Sequence, residues 1–148
     1  MALDLVRLQE HVHGHVGWLA AATLVHPAIL LRRVNRRAHV SVALAVAVVT
    51  LAAAMGVAMY TRYRDSLRQP IFAGSAAVGY LFERKEHLAF GAVALAWAGG
   101  ASYAASSWAA DELRRPLRVA AHRAFVAAAL FASASALLGT IVAAYKTF

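Results

Sequence analysis

The sequence predicts an all-α integral membrane protein: a four-helix bundle, antiparallel in up-down-up-down order, forming one domain over residues 1–148. Three observations lead there. Apolar residues make up 61% of the 148 and mean hydropathy is +0.59, whereas a soluble domain keeps its apolar share near half. Apolar runs recur at the length of a bilayer crossing, about 20 helical residues through a hydrocarbon core of roughly 30 Å. Basic residues stand at the ends of those runs, as membrane flanks do.

The first run, 16–31, is the shortest and contains His26. It reaches spanning length if the helix starts near His11, which gives a first helix at about 11–31. A tight basic turn at 32–39 then folds the chain into a hairpin with a second helix at about 39–60, where 40–60 carries no charge. The link 61–87 is long. Its middle, 70–82, is apolar but too short to span, so it reads as an interfacial or re-entrant segment. The third helix is expected at about 87–108, with 88–108 uncharged. A turn holding Asp111, Glu112 and Pro116 leads to the fourth, at about 119–145, with 124–145 uncharged. All four are rich in alanine, glycine and serine, which let helix backbones approach closely in lipid. Residues 1–10 include Asp4 and Glu10 and have no basic run before an apolar core, so the first helix is expected to serve as an uncleaved anchor rather than a signal peptide.

The formal charge is +8. Arginines placed at helix ends point to anionic lipid head groups, not to nucleic acid. With no cysteine, disulfides, iron–sulfur clusters, thiolate metal sites and covalently attached c-type haem are excluded. Neither a phosphate loop, nor a Ser-His-Asp arrangement, nor a His-Glu-x-x-His zinc motif is present, and no catalytic residue is assigned. Arg32, Arg33, Arg36, Arg37, Arg114, Arg115, Arg118 and Arg123 cluster on the side of the two short turns. That side is expected in the cytoplasm, with both termini and the long link outside a bacterial inner membrane.

Seven histidines carry the chemistry. The antiparallel order sorts them by membrane face: His11, His13, His15 and His87 outside, His26, His39 and His122 inside. Positions four or eleven apart share a helix face, so His11, His15 and His26 form one stripe, with His15 and His26 roughly 16 Å apart along the axis. Neutral imidazole ligates haem iron, zinc, copper or non-haem iron. For His26 the plain reading is a hydrogen bond to the Thr23 carbonyl that Pro27 frees; for His39 and His122 it is a solvated interfacial position. On the outer side, Glu83 and His87 are spaced as His11 and His15 are. Two such pairs facing each other could offer four ligands to one metal ion. The bland alternative for the glutamates is a solvated helix start favoured by the dipole. Tyr60, Tyr63, Tyr80, Tyr145, Trp18 and Trp108 read as interfacial anchors, Trp97 as packing, and Ser133 and Ser135 as bonded back to their own helix.

This layout, with His15 and His26 on one face of the first helix and His39, His87 and His122 at helix starts, resembles the small four-helix membrane cytochromes of the b type. The resemblance implies haem b, one or two, held between histidines of neighbouring helices: His15 with His87 outside, and His26 with His122 or His39 inside. It implies electron exchange with a quinone or a partner redox protein. The other readings stay open. One is a zinc, copper or iron site made by His11, His15, Glu83 and His87. Another is a cofactor-free subunit packed in a larger complex or against further copies of itself.

Overall fold

The computed structural model describes residues 2–33 and 37–145, with side chains from residue 8 onward. Arg36 and Lys146, which bear on the charge distribution, lie outside the described residues. Within them the chain is all-helical: α1 (Ala2–Leu30), α2 (His39–Ser66), α3 (Arg68–Gly74), α4 (Ala76–Trp108) and α5 (Asp111–Tyr145).

The long helices outrun the apolar stretches that mark them. α2 continues past residue 60 to Ser66, α4 begins at Ala76 rather than near 87, and α5 begins at Asp111 rather than near 119. The reason is that apolar runs mark only what suits lipid. Arg, Lys and Glu are good helix formers and carry the same helix onward into a polar setting. At 33 and 35 residues, α4 and α5 are roughly 50 Å long, well beyond a bilayer core.

The link expected between the second and third helices is therefore short in non-helical residues. Pro70 cannot continue α2, because its ring would clash with the Ser66 carbonyl; it is tolerated in the first turn of α3. Ser75 is extended (φ −163°, ψ 112°) and its Oγ accepts from the Val78 N–H, the usual N-cap bond. Residues 70–82 are thus divided between α3 and the start of α4, and α3 packs on both α2 and α4.

The four long helices stand in the cyclic order α1, α2, α4, α5. Each touches its two neighbours, and α4 with α5 is the most extensive contact. Every neighbouring pair is antiparallel: His26 meets Ser41, Trp97 meets Thr50, and His122 meets Ala28. Small residues make the close approach possible. Ala20, Ala21, Leu24, Ala45, Ala92, Ala96, Phe125 and Ala128 belong to one continuous core. Phe125, fully buried, lies against Gly99, where a Cβ would come within 3.0 Å of its ring. A second cluster of Tyr63, Val78, Phe82 and Val142 ties the α3 region to the ends of α4 and α5.

Three helices, α2, α4 and α5, are long and apolar enough to cross a membrane. Only 22%, 22% and 28% of their apolar windows are buried inside the bundle, so most of that surface faces outward. α1 is not in this group. His11, His13, His15 and His26 lower its hydropathy.

Candidate functional site

The histidines lie at the two ends of the bundle. At the end where α1 begins and α2 finishes stand His11, His13, His15 and His87; at the other stand His26, His39 and His122. Most face outward. His11, His15, His26, His39 and His87 are exposed.

The ring nitrogens are more informative than the positions. His15 Nδ1 lies 2.7 Å from the His11 carbonyl, His87 Nδ1 2.8 Å from the Glu83 carbonyl, and His122 Nδ1 2.9 Å from the Ala28 carbonyl across the α1–α5 contact. A carbonyl can only accept, so each Nδ1 must donate its proton. In the neutral imidazole the lone pair is then on Nε2. This is the state of a metal-ligating histidine, whose other ring N–H is held by a carbonyl or carboxylate. His26 differs: its Nδ1 is 2.9 Å from Ser41 Oγ, which can donate or accept. The Thr23 carbonyl freed by Pro27 is not its partner.

His15 on α1 and His87 on α4 are both exposed, each with Nδ1 turned to a carbonyl of its own helix. His26 turns to α2, His122 reaches α1 from α5, and His39 packs edge-on against Tyr103 at 5.1 Å. The space between the helices is occupied by the alanine-rich core. Among the described residues no three or more His, Asp or Glu side chains gather as a metal-holding group. His11, His15, Glu83 and His87 are spread over two diagonal helices, and Glu83 is engaged by Arg68 at 3.0 Å.

The end with His26, His39 and His122 is knotted together by Tyr103. Its Oη accepts from the Ala38 N–H at 2.7 Å, which satisfies the backbone at the start of α2 in place of a side-chain cap. The Arg118 guanidinium lies 4.6 Å from the Tyr103 ring, and Arg118 Nε donates to the buried Ser106 Oγ at 2.9 Å. Ser106 in turn donates to the Tyr103 carbonyl. The starts of α2 and α5 and the end of α4 are thereby cross-linked.

The opposite end, where α1 begins, holds a centre that sequence reasoning passed over. His13 turns inward against α2, its Cε1 only 3.3 Å from where a Cβ at Gly56 would stand. Lys85 is its charged neighbour. Tyr63 is buried, not an interfacial anchor, and stacks on Phe82 at 3.8 Å; the Lys85 ammonium lies 4.4 Å from the same Phe82 ring. Glu86 and Glu83 are the acids nearest Tyr63. His13 Nδ1 and Tyr63 Oη are buried without a hydrogen-bond partner among the described residues. The signal for His13 was available: it lies seven and eleven residues before Ala20 and Leu24, on the buried stripe of α1. Two smaller expectations also change. Ser135 Oγ donates across to the Lys85 carbonyl of α4 rather than to its own helix. Trp97 is outward and donates to Thr50 Oγ1 at 3.1 Å.

No protein-family model matches the chain, and no curated protein or solved structure matches it.

Proposed function

We propose that the chain is a multi-pass protein of a bacterial inner membrane, crossing it with α1, α2, α4 and α5 and with both termini outside. It works as a haem b-binding electron-transfer subunit. Its haem, one or two, sits on the outer surface of the bundle, at the boundary with a partner redox protein or a second copy of the chain. Electrons pass between that haem and a quinone or the partner. The carrying observation is the tautomer fixed by the backbone carbonyls at His15, His87 and His122, which directs an Nε2 lone pair away from the helix. The outward apolar surface of α2, α4 and α5 supports the membrane and assembly parts of the reading.

In this reading His15 and His87 each offer one axial ligand at the outer end, and His122, with His26 or His39 beside it, at the inner end. When bound, the haem supplies one-electron chemistry. The chain fixes the imidazole tautomer and shields the site with apolar helices. Purification in mild detergent from a haem-replete host tests it: a sharp reduced b-type absorption band is expected, weakened by His15→Ala and His87→Ala. A colourless preparation, obtained with its co-purifying partners intact, would refute haem binding and leave a cofactor-free structural subunit.

A further inference from the structure

We infer that the inner end of α1 carries a binding site for one anionic phospholipid, and this rests on the membrane reading above. Two cavities lie at that end, one at the turn that closes the helix and one on the face that carries Val25 and Ala28. The upper, of about 460 Å³, is lined by Ile29, Arg32 and Arg33. The lower, of about 220 Å³, is an apolar groove between α1 and α5, lined by Val25, Ala28, Val126, Ala129, Leu130 and Ser133.

Val25 and Ile29 share one face of α1 at i,i+4 spacing, and Arg32 and Arg33 follow in the turn just beyond its end, their backbone N–H groups donating to the Ile29 and Leu30 carbonyls. A cationic chamber therefore sits directly above an apolar slot, as the head and upper chain of a phospholipid are arranged. The two guanidiniums make no ion pair with any described acid. Two other arginines of this end are committed elsewhere, Arg114 to Asp111 and Arg118 to Ser106. Guanidinium is the side chain suited to a phosphate diester, and basic pockets between helices on the cytoplasmic side take anionic lipid head groups. Ile29 and Val25, 58% and 42% exposed, supply the apolar wall that a free phosphate would not use.

The test is native mass spectrometry of the detergent-purified full chain, titrated with phosphatidylglycerol, phosphatidylcholine or inorganic phosphate. Phosphatidylglycerol should bind at least tenfold more tightly than phosphatidylcholine. Arg32→Gln with Arg33→Gln should bring the ratio near one. Arg37→Gln with Arg115→Gln removes the same charge from the same end outside the cavity, and should leave the ratio unchanged. Ser133→Leu fills the groove without touching charge and should weaken both lipids severalfold; it decides the matter if the arginine variant fails to fold. An unchanged ratio in the Arg32/Arg33 variant, an equal loss in the control variant, undiminished binding in Ser133→Leu, or displacement by millimolar inorganic phosphate would each overturn the site. Failure of the membrane reading is seen separately, as partition of the protein into the aqueous phase of a clouding detergent.

Discussion

Tyr103→Phe removes one oxygen atom from the inner knot and nothing else. The ring stays, and with it the edge contact to His39 at 5.1 Å and the Arg118 guanidinium at 4.6 Å. What is lost is the acceptor 2.7 Å from the Ala38 N–H. Ala38 and Tyr103 are 3% and 2% exposed, so water does not replace it without disturbing the packing. An orphaned buried donor costs about 1–3 kcal/mol, and each kcal/mol lowers the midpoint by about 2–4 °C for a chain of this size. Thermal unfolding in detergent, followed by tryptophan fluorescence, should therefore shift down by several degrees. Hydrogen exchange gives the sharper readout: the Ala38 amide should exchange faster in the variant, while amides in the middle of α4 keep their protection. Unchanged exchange at Ala38 would refute the claim that Tyr103 caps α2. Tyr103→Ala, which also empties a core volume, should cost more, about 3–5 kcal/mol.

Gly99→Ala and Gly91→Ala make the same chemical change with opposite expectations: the first meets the immovable Phe125 at 3.0 Å and should destabilise by about 1–3 kcal/mol. The second meets the ring of Phe131, 40% exposed and able to swing outward, so melting should show little loss. Tyr63→Phe deletes an unpartnered buried hydroxyl and should stabilise the isolated chain by about 1–3 kcal/mol; a lower melting temperature would mean that the hydroxyl has a partner after all. Ser135→Ala should cost about 1 kcal/mol by cutting the bond to the Lys85 carbonyl. For orientation, a cysteine at Ser66 should react with an impermeant thiol reagent in intact cells and one at Ala110 should not; the reverse labelling would invert the topology.

The all-helical class and the sorting of histidines by end were legible, because apolar runs and antiparallel connection determine them; the count was not, since four helices were expected and the described residues form five. Helix ends were not. The stretch 61–87 reads as a link by hydropathy, yet Arg62, Arg64, Glu83 and Glu86 are helix formers that simply extend α2 and α4 beyond the apolar zone. Pro70 and Ser75 were the residues that located the real breaks, through a forbidden hydrogen bond and an N-cap. For the site, spacing placed His11, His15 and His26 on one stripe correctly but could not say which way the stripe faces. The buried stripe is the other one, through His13, Ala20 and Leu24, because alanine and leucine there meet the neighbouring helices. Cross-helix partners such as Ser41, Thr50, Ala28 and Tyr103 depend on helix rotation and register, which a single sequence pattern leaves open.

The composition of the core explains why the polar chemistry is at the ends and on the outside. A bundle packed through alanine and glycine brings helix axes close and leaves little room between them; its largest wholly buried side chain is Phe125. The polar groups left over stand on the outward faces, where His15 and His87 are exposed, and at the bundle end, where His13 Nδ1 and Tyr63 Oη have no hydrogen-bond partner among the described residues. The outward apolar surface points the same way, since α2, α4 and α5 bury only a minority of their apolar windows against one another. Close packing inside and apolar surface outside are thus one feature: helices that spend their small residues on each other turn their larger apolar side chains outward.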